Sequence, residues 1–216
     1  MTSCLVDISV GARASCLSRA QVDEVYQEIA RHFSHIRFHP IWVITKGDRD
    51  KTTSLKTLEK TNFFTDEIDM RQLKGEFRIS IHSAKDLPDP LHPDLEIVAF
   101  TKGMDPSDSL VVREFPIQFG SRIGTSSHRR EAFLKNWRHD LECIDIRGTI
   151  DERLKLLDDR VVDGVVVAEA ALIRLKLTDR PRLHLDIDTA QMQGRLAVIA
   201  RKNDHEIRQL FEKIHR

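Results

Sequence analysis

Short apolar runs alternate along the chain with stretches in which apolar residues recur every three or four positions. That is the pattern of strands interleaved with amphipathic helices. Residues 5–10 alternate with the two-residue period of a strand and stop at Gly11. Over residues 18–33, Val22, Val25, Ile29 and Phe33 fall on one helical face. Residues 38–44, 77–81, 95–100 and 109–112 read as further strands, and 122–124 as a short one running into a helix that starts near Ser126 or Ser127. A strand over 141–146, a helix over 150–157 and a strand over 164–168, with three consecutive valines, follow. Residues 196–200 return as a strand, and Asp204 is placed to cap a last helix with Ile207, Leu210, Phe211 and Ile214 on one face. Continuous apolar strands between helices predict an α/β fold with mostly parallel sheets covered by helices. Residues 45–62 are polar and weakly periodic, which predicts a mobile loop, and the pattern breaks again over 101–106.

Composition narrows the function classes. Lys plus Arg and Asp plus Glu are both 34, so there is no basic excess of the kind that phosphate-neutralising nucleic-acid binders carry. The positive side comprises 22 Arg against 12 Lys, favouring the guanidinium fork that matches carboxylates and phosphates. No run approaches the roughly 18 apolar residues of a membrane helix. The first ten residues lack the basic start and apolar core of a signal peptide. Cys4, Cys16 and Cys143 are odd in number and without C-x-x-C spacing, which predicts a reducing, cytoplasmic setting and no thiolate metal site. The balanced charge gives no reason to expect a large assembly, and a monomer is expected.

Four polar clusters stand at strand ends, where α/β sheets collect ligands. Gly11-Ala-Arg13-Ala-Ser15 lies between the first strand and first helix, at a helix start that favours anions. His82-Ser-Ala-Lys85-Asp86-Leu-Pro88 follows the strand over 77–81, and its adjacent lysine and aspartate could hold an anion and handle a proton. Gly124-Thr125-Ser126-Ser127-His-Arg129-Arg130 sets three hydroxyls and two guanidinium groups at a helix start, an anion cradle without nucleotide P-loop spacing. Arg147-Gly148-Thr149 repeats the strand-end arginine, with Arg153 and Arg174 beyond it. Each cluster alone also reads as an ordinary turn, cap or surface ion pair; arginines gathered on one crevice would imply a ligand with several carboxylates or phosphates. His32, His35 and His39 approximate a metal spacing, but Pro40 ends the helical phase, so they read as surface histidines and no metal is expected. Trp42 and Trp137 read as core or interface residues.

In order and spacing these strings resemble the porphobilinogen deaminase (hydroxymethylbilane synthase) family. The resemblance rests on Arg13-x-Ser15, Thr45-Lys-Gly-Asp48, His82-Ser-Ala-Lys-Asp-Leu-Pro88 and Asp105-Pro106. It continues in Gly124-Thr-Ser-Ser-His-Arg-Arg130, Arg147-Gly148 with Arg153-Leu154, and Gln193-Gly194, and so runs over nearly the whole chain. It implies two domains of type II periplasmic-binding-protein topology, residues 1–101 plus 194–216 and residues 102–193, with the active site between them. It also implies a transferase of tetrapyrrole (heme) synthesis that joins porphobilinogen units head to tail, releasing ammonia, on a dipyrromethane cofactor. By match, Asp86 is the catalytic acid, and Lys85, Thr125, Ser126, Ser127, Arg129, Arg130, Arg147 and Gly148 hold the cofactor. Arg13, Ser15, Arg153 and Arg174 handle the incoming substrate or the growing chain. The partners implied are small pyrrole polycarboxylates, with no nucleic acid and no membrane.

Several positions depart from the family pattern. None of the three cysteines matches the one that anchors the dipyrromethane, and the third, C-terminal domain bearing that cysteine is expected to be absent. The family's lysine-bearing glycine loop reads Glu59-Lys-Thr-Asn-Phe-Phe64, with Thr61 at the lysine; Met192 replaces a glycine before Gln193, and His128 replaces a leucine. These departures define the alternative, a non-catalytic two-domain clamp for a pyrrole polycarboxylate or other polyanion. The retained Asp86 favours the enzyme, because a carboxylate binder gains nothing from an added negative charge.

Overall fold

The chain folds around two five-stranded sheets, each of which gathers its own core, in a computed structural model that describes residues 5–54, 56 and 61–216. By contact the chain divides into two units. Unit 1 takes the described residues of 1–49, 60–104 and 195–216, and unit 2 those of 50–59 and 105–194.

In unit 1, β1 (Val6–Arg13), β2 (Ile36–Val43), β3 (Ile79–Ser83), β4 (Leu95–Phe100) and β10 (Leu196–Arg201) take the order β2-β1-β3-β10-β4. β1 pairs in parallel with β2 and β3, while β10 runs antiparallel to both β3 and β4, so four of the five strands point one way. One face is covered by α1 (Cys16–Ala30) and α7 (His205–Phe211), which bring Val22, Val25, Ile29, Ile207 and Phe211 onto Ile8, Val10, Ile81 and Val198. Both helices are capped: Ser15 Oγ accepts from Ser18 N, and the Asp204 side chain accepts from Ile207 N. On the other face α3 (Asp66–Leu73) sets Ile68 against Phe77 and Val43. There β1 approaches a ring so closely that a Cβ on Gly11 would lie 2.2 Å from Phe77 Cε2. Gly11→Ala is therefore expected to cost about 1–3 kcal/mol by overpacking. It should appear as a lower urea midpoint at unchanged slope; an unshifted midpoint would mean that Phe77 yields freely.

In unit 2, β5 (Asp108–Val112), β6 (Arg122–Gly124), β7 (Glu142–Ile144), β8 (Gly164–Ala168) and β9 (Arg182–Leu185) take the order β7-β6-β8-β5-β9. β6 is parallel to β7 and β8, and β5 is antiparallel to β8 and β9, so again a single strand opposes the rest. α4 (His128–Trp137) packs Leu134 on one face of the sheet, while α5 (Ile150–Asp158) and α6 (Glu169–Leu175) pack Leu154, Leu157 and Leu172 on the other. Every residue of β5 and β8 is buried, as strands covered on both faces must be.

Three helices (the short α2, Lys46–Arg49, with α3 and α6) and one strand had no expectation. α3 hides because its buried face carries Asp69 and the fully buried Gln72 beside Ile68; Gln72 Nε2 donates to the carbonyls of Arg78 (3.1 Å) and Ile199 (2.9 Å). α6 follows β8 without a break, and β9 is an edge strand of alternating Arg182-Leu-His-Leu. The strand expected over 141–146 shortens to Glu142–Ile144. Trp137 is not a core residue: it is 41% exposed and stacks on Phe133, whereas Trp42 is half-buried beneath the Arg19 guanidinium. Within 45–62, Lys46–Arg49 forms a helical turn (α2) and Asp50 accepts from the amides of Thr52 and Thr53. The loop expectation for 55 and 57–60, like anything expected of Cys4, falls outside the described residues. No helix among the described residues is long and apolar enough to cross a membrane.

Candidate active site

In unit 1 the expected residues stand where β1 and β3 end. The two strands are parallel neighbours with Val10 opposite Ile79 and Gly11 opposite Ser80, and the same register carried forward sets Arg13 abreast of His82. Arg13 closes β1, Ser15 caps α1, and β3 runs into a single 3-10 turn, Ala84–Asp86. That turn leaves Asp86 exposed and Lys85 half-buried. The amide of Ala84 donates to the Arg195 carbonyl (3.0 Å) and Gln21 Nε2 donates to Ser83 Oγ (2.8 Å), which ties the start of the turn to β10 and α1. Ser15 Oγ uses its lone pair on the helix, so its hydroxyl hydrogen is the part available to a ligand.

Arg13 is seated on a carboxylate to which the expectations gave no role. Its Nε and Nη2 both donate to Asp48 Oδ1, the former at 3.1 Å, and its Cζ lies 4.4 Å from the centroid of the Phe64 ring. Asp48 Oδ2 accepts from the amide (2.9 Å) and hydroxyl (2.8 Å) of Thr45. Burial pushes the Asp48 carboxyl up, but Arg13 and Thr45 together hold it below its usual range. His82, only 6% exposed, stands beside this group with Nε2 lacking a hydrogen-bond partner. Burial, reinforced by the Arg13 charge, pulls its imidazole down to about 4.

Unit 2 carries the hydroxyls and the other arginines. β6 ends at Gly124; the Thr125 amide donates to the Ile144 carbonyl (2.9 Å), and Ser127 takes the cap position of α4 without a side-chain capping hydrogen bond. Thr125 and Ser126 are buried, Ser127 half-buried. Arg129 and Arg130 converge on Asp108, the first residue of β5, to which Gln193 Nε2 also donates (2.9 Å). Arg147 Nη2 donates to the Asp50 carbonyl (2.8 Å). Gly148 has φ +103°, a left-handed conformation in which a Cβ would also meet Glu152 Oε2 at 2.5 Å, so glycine is required there. Thr149 and Glu152 form a reciprocal capping box at the start of α5, and Arg153 Nε returns to the Gly148 carbonyl at 2.9 Å. Arg174 Nη2 donates to the Gly194 carbonyl (2.8 Å), one residue past Gln193. The segment after Asp50 is held in unit 2 by the pairs Lys51–Glu152 and Lys56–Glu131 and by a hydrogen bond from Ser54 to Asp145. Lys135 and Lys56 hold the Glu131 carboxyl down to about 2.

The expected residues thus form two groups: Arg13, Ser15, Lys85 and Asp86 in unit 1, and Thr125, Ser126, Ser127, Arg129, Arg130, Arg147, Gly148, Arg153 and Arg174 in unit 2. Hydroxyls, helix-start amides and guanidinium forks form a donor set suited to carboxylates. Of the two described thiols, Cys143 fits covalent attachment less well, because burial pushes its half-buried thiol up, away from the reactive thiolate, whereas Cys16 is exposed at the first residue of α1.

The chain has two α/β units of periplasmic-binding-protein type, one ending a strand in an exposed acid and the other rich in carboxylate donors. The fold likeness extends to a probable amino-acid ABC transporter extracellular-binding protein of Bacillus subtilis (TM-score 0.53, 12% identity, covering 97% of this chain and 90% of that one). Residues 8–209 match the family described as porphobilinogen deaminase, dipyromethane cofactor binding domain. The chain is 41% identical over 186 residues to the porphobilinogen deaminase of Caldicellulosiruptor saccharolyticus, covering 84% of this chain and 63% of that one. It is 37% identical over 212 residues to a probable porphobilinogen deaminase of Chlamydia pneumoniae, covering 96% and 90%. The chain belongs to the porphobilinogen deaminase family, transferases of tetrapyrrole synthesis, and carries the family's dipyrromethane-binding portion.

Proposed function

We propose that the chain condenses porphobilinogen units with release of ammonia, as a hydroxymethylbilane synthase acting in the cytoplasm as a monomer. The observation that carries this reading is Asp86, an exposed carboxylate presented on a 3-10 turn directly after a strand whose first four residues are buried, with Lys85 beside it. Each condensation must protonate the departing amine of one porphobilinogen, join its methylene carbon to the free ring carbon of the receiving pyrrole, and return that carbon's proton. One acid that donates and then accepts serves both proton steps, and its anionic form stabilises the cationic pyrrole N–H between them. Ser127, Arg129 and Arg147, with Lys85, are the residues that hold dipyrromethane carboxylates; Arg13, Ser15, Arg153 and Arg174 take those of the incoming substrate. Dipyrromethane, when bound, supplies the free pyrrole position that the condensation needs.

The test is incubation of the purified chain with porphobilinogen, following ammonia release and, after oxidation, uroporphyrin fluorescence; the absence of both signals would refute the enzyme reading. A second reading, a carboxylate clamp without turnover, is favoured by Thr61 at the place of the family's lysine. Binding of porphobilinogen without ammonia release would select it. Arg147→Ala is expected to weaken retention of a dipyrromethane adduct or bound pyrrole acid by about 1.5–3 kcal/mol, the range for a hydrogen bond to a charged group. Intact mass and equilibrium binding measure it, and unchanged retention would remove Arg147 from the donor set.

A further inference from the structure

The two arginines of the Arg129-Arg130 doublet are not equivalent in this structure. Arg130 is 8% exposed; its Nη2 donates to Asp108 Oδ1 (2.6 Å) and its Nη1 to the Val166 carbonyl (3.0 Å). Its buried Nε has no hydrogen-bond partner, so the described contacts hold Arg130 through its two Nη groups. Arg129 is more open, with a side chain 28% exposed; its Nη2 donates to Asp108 Oδ2 (2.6 Å) and its Nη1 to the Asp188 carbonyl (2.5 Å). Asp108 joins the two. It is fully buried at the start of β5 and gives one oxygen to each guanidinium, while Gln193 Nε2 donates to Oδ1 and also to the Pro106 carbonyl (2.6 Å). Burial pushes the Asp108 carboxyl up, but Arg130, Arg129 and Gln193 outweigh it and hold it below its usual range, so the seat is ionised.

We propose that Asp108 is a positioning residue, a buried carboxylate that anchors Arg130 and fixes the plane of Arg129 so that the exposed edge of Arg129 meets ligand carboxylates. The orientation matters because a guanidinium gains its bidentate advantage only when its plane is set beforehand. The proposal rests on the pyrrole-carboxylate reading above, and it makes a prediction opposite in sign to simple charge counting. Asp108→Asn adds one net positive charge beside the two arginines. If Asp108 were only a counter-ion, an anionic ligand would bind the variant more tightly; if it aims Arg129, the ligand binds more weakly.

The experiment is calorimetric titration with porphobilinogen, performed in an Asp86→Asn background so that bound ligand is not consumed. Asp108→Asn is expected to weaken binding about tenfold or more, the equivalent of about 1.4 kcal/mol. That loss should vanish when Arg129→Gln is already present, because the two residues act through one contact. Equal or tighter binding by Asp108→Asn, or the same loss with and without Arg129, overturns the proposal. Should Asp108→Asn fail to fold by circular dichroism, Gln193→Leu removes one hydrogen bond from the seat and keeps every charge. It should loosen binding severalfold and speed the rotation of the Arg129 guanidinium seen by nitrogen NMR; wild-type values for both overturn the proposal. If the Asp86→Asn parent takes up no porphobilinogen, the pyrrole-carboxylate reading falls, and guanidinium rotation in Asp108→Asn still decides whether Asp108 locks Arg129.

Discussion

Asp86→Asn is expected to lower ammonia release by about 10²–10⁴-fold, the range that a general acid–base group contributes, while porphobilinogen binding changes by no more than a few-fold. The split follows from where the side chain sits. Asp86 is exposed on the 3-10 turn, and no packing contact of the core depends on it. Asparagine keeps the shape and one acceptor oxygen but can neither give up a proton nor carry the negative charge that balances a cationic pyrrole. The carboxylate-binding residues are left untouched, so the ground state is bound as before and only the proton-transfer steps suffer. A fall in turnover without a rise in KM is the signature of an interaction made in the transition state. Unchanged turnover would remove Asp86 from the chemistry. A loss of binding equal to the loss of rate would make it a substrate contact instead, and would shift the acid's role elsewhere in unit 1.

How far such roles can be read before any fold is known depends on sequence distance. β5, β8 and β10 were legible because strands covered on both faces leave unbroken apolar runs, and α1 because Val22, Val25 and Ile29 keep one helical face. α3 was not legible: its inward face uses Gln72 as a hydrogen-bonding spacer between β3 and β10, and a polar residue there looks like solvent-facing helix or loop. The exposed chemistry stood out because its residues are adjacent: His82 to Pro88, Gly124 to Arg130, Arg147 with Gly148. The seats beneath it were hidden because each is defined by a distant partner. Asp48 lies 35 positions from Arg13, Asp108 lies 22 from Arg130, and Gln193 lies 85 from Asp108. One signal was available for Asp108, a carboxylate abutting the apolar run over 109–112, where a charge is tolerated only if buried partners meet it. Asp69 gave no such sign, since α3 itself was not expected.

Asp69 and His82 make unit 1 respond to acid in opposite senses over nearly the same interval. His82 is 6% exposed, and burial with the Arg13 charge pulls it from 6.5 down to about 4. The unfolded chain therefore takes up a proton on acidification that the folded chain refuses, and the His82 contribution, present above pH 6.5, is lost as pH falls toward 4. Asp69 is 5% exposed, and burial raises its carboxyl from 3.8 to about 6. Here the folded chain holds a proton that the unfolded chain has released, so the Asp69 contribution is present below pH 3.8 and lost as pH rises through 6. Each shift corresponds to about 3 kcal/mol, and between pH 4 and 6 the two nearly offset each other. Single variants should expose the hidden slopes. In Asp69→Asn the His82 slope stands alone, and urea midpoints should fall steeply from pH 6.5 to 4. In His82→Gln the Asp69 slope remains, and the midpoint should rise on acidification from pH 6 to 5, above the range where the carboxylates held low by arginine, Asp48 and Asp108 among them, lose their contribution as the unfolded chain protonates. Parallel pH profiles for the two variants would show that neither group titrates as its burial requires; opposite slopes would show that the wild-type profile in this interval is a balance of two buried groups.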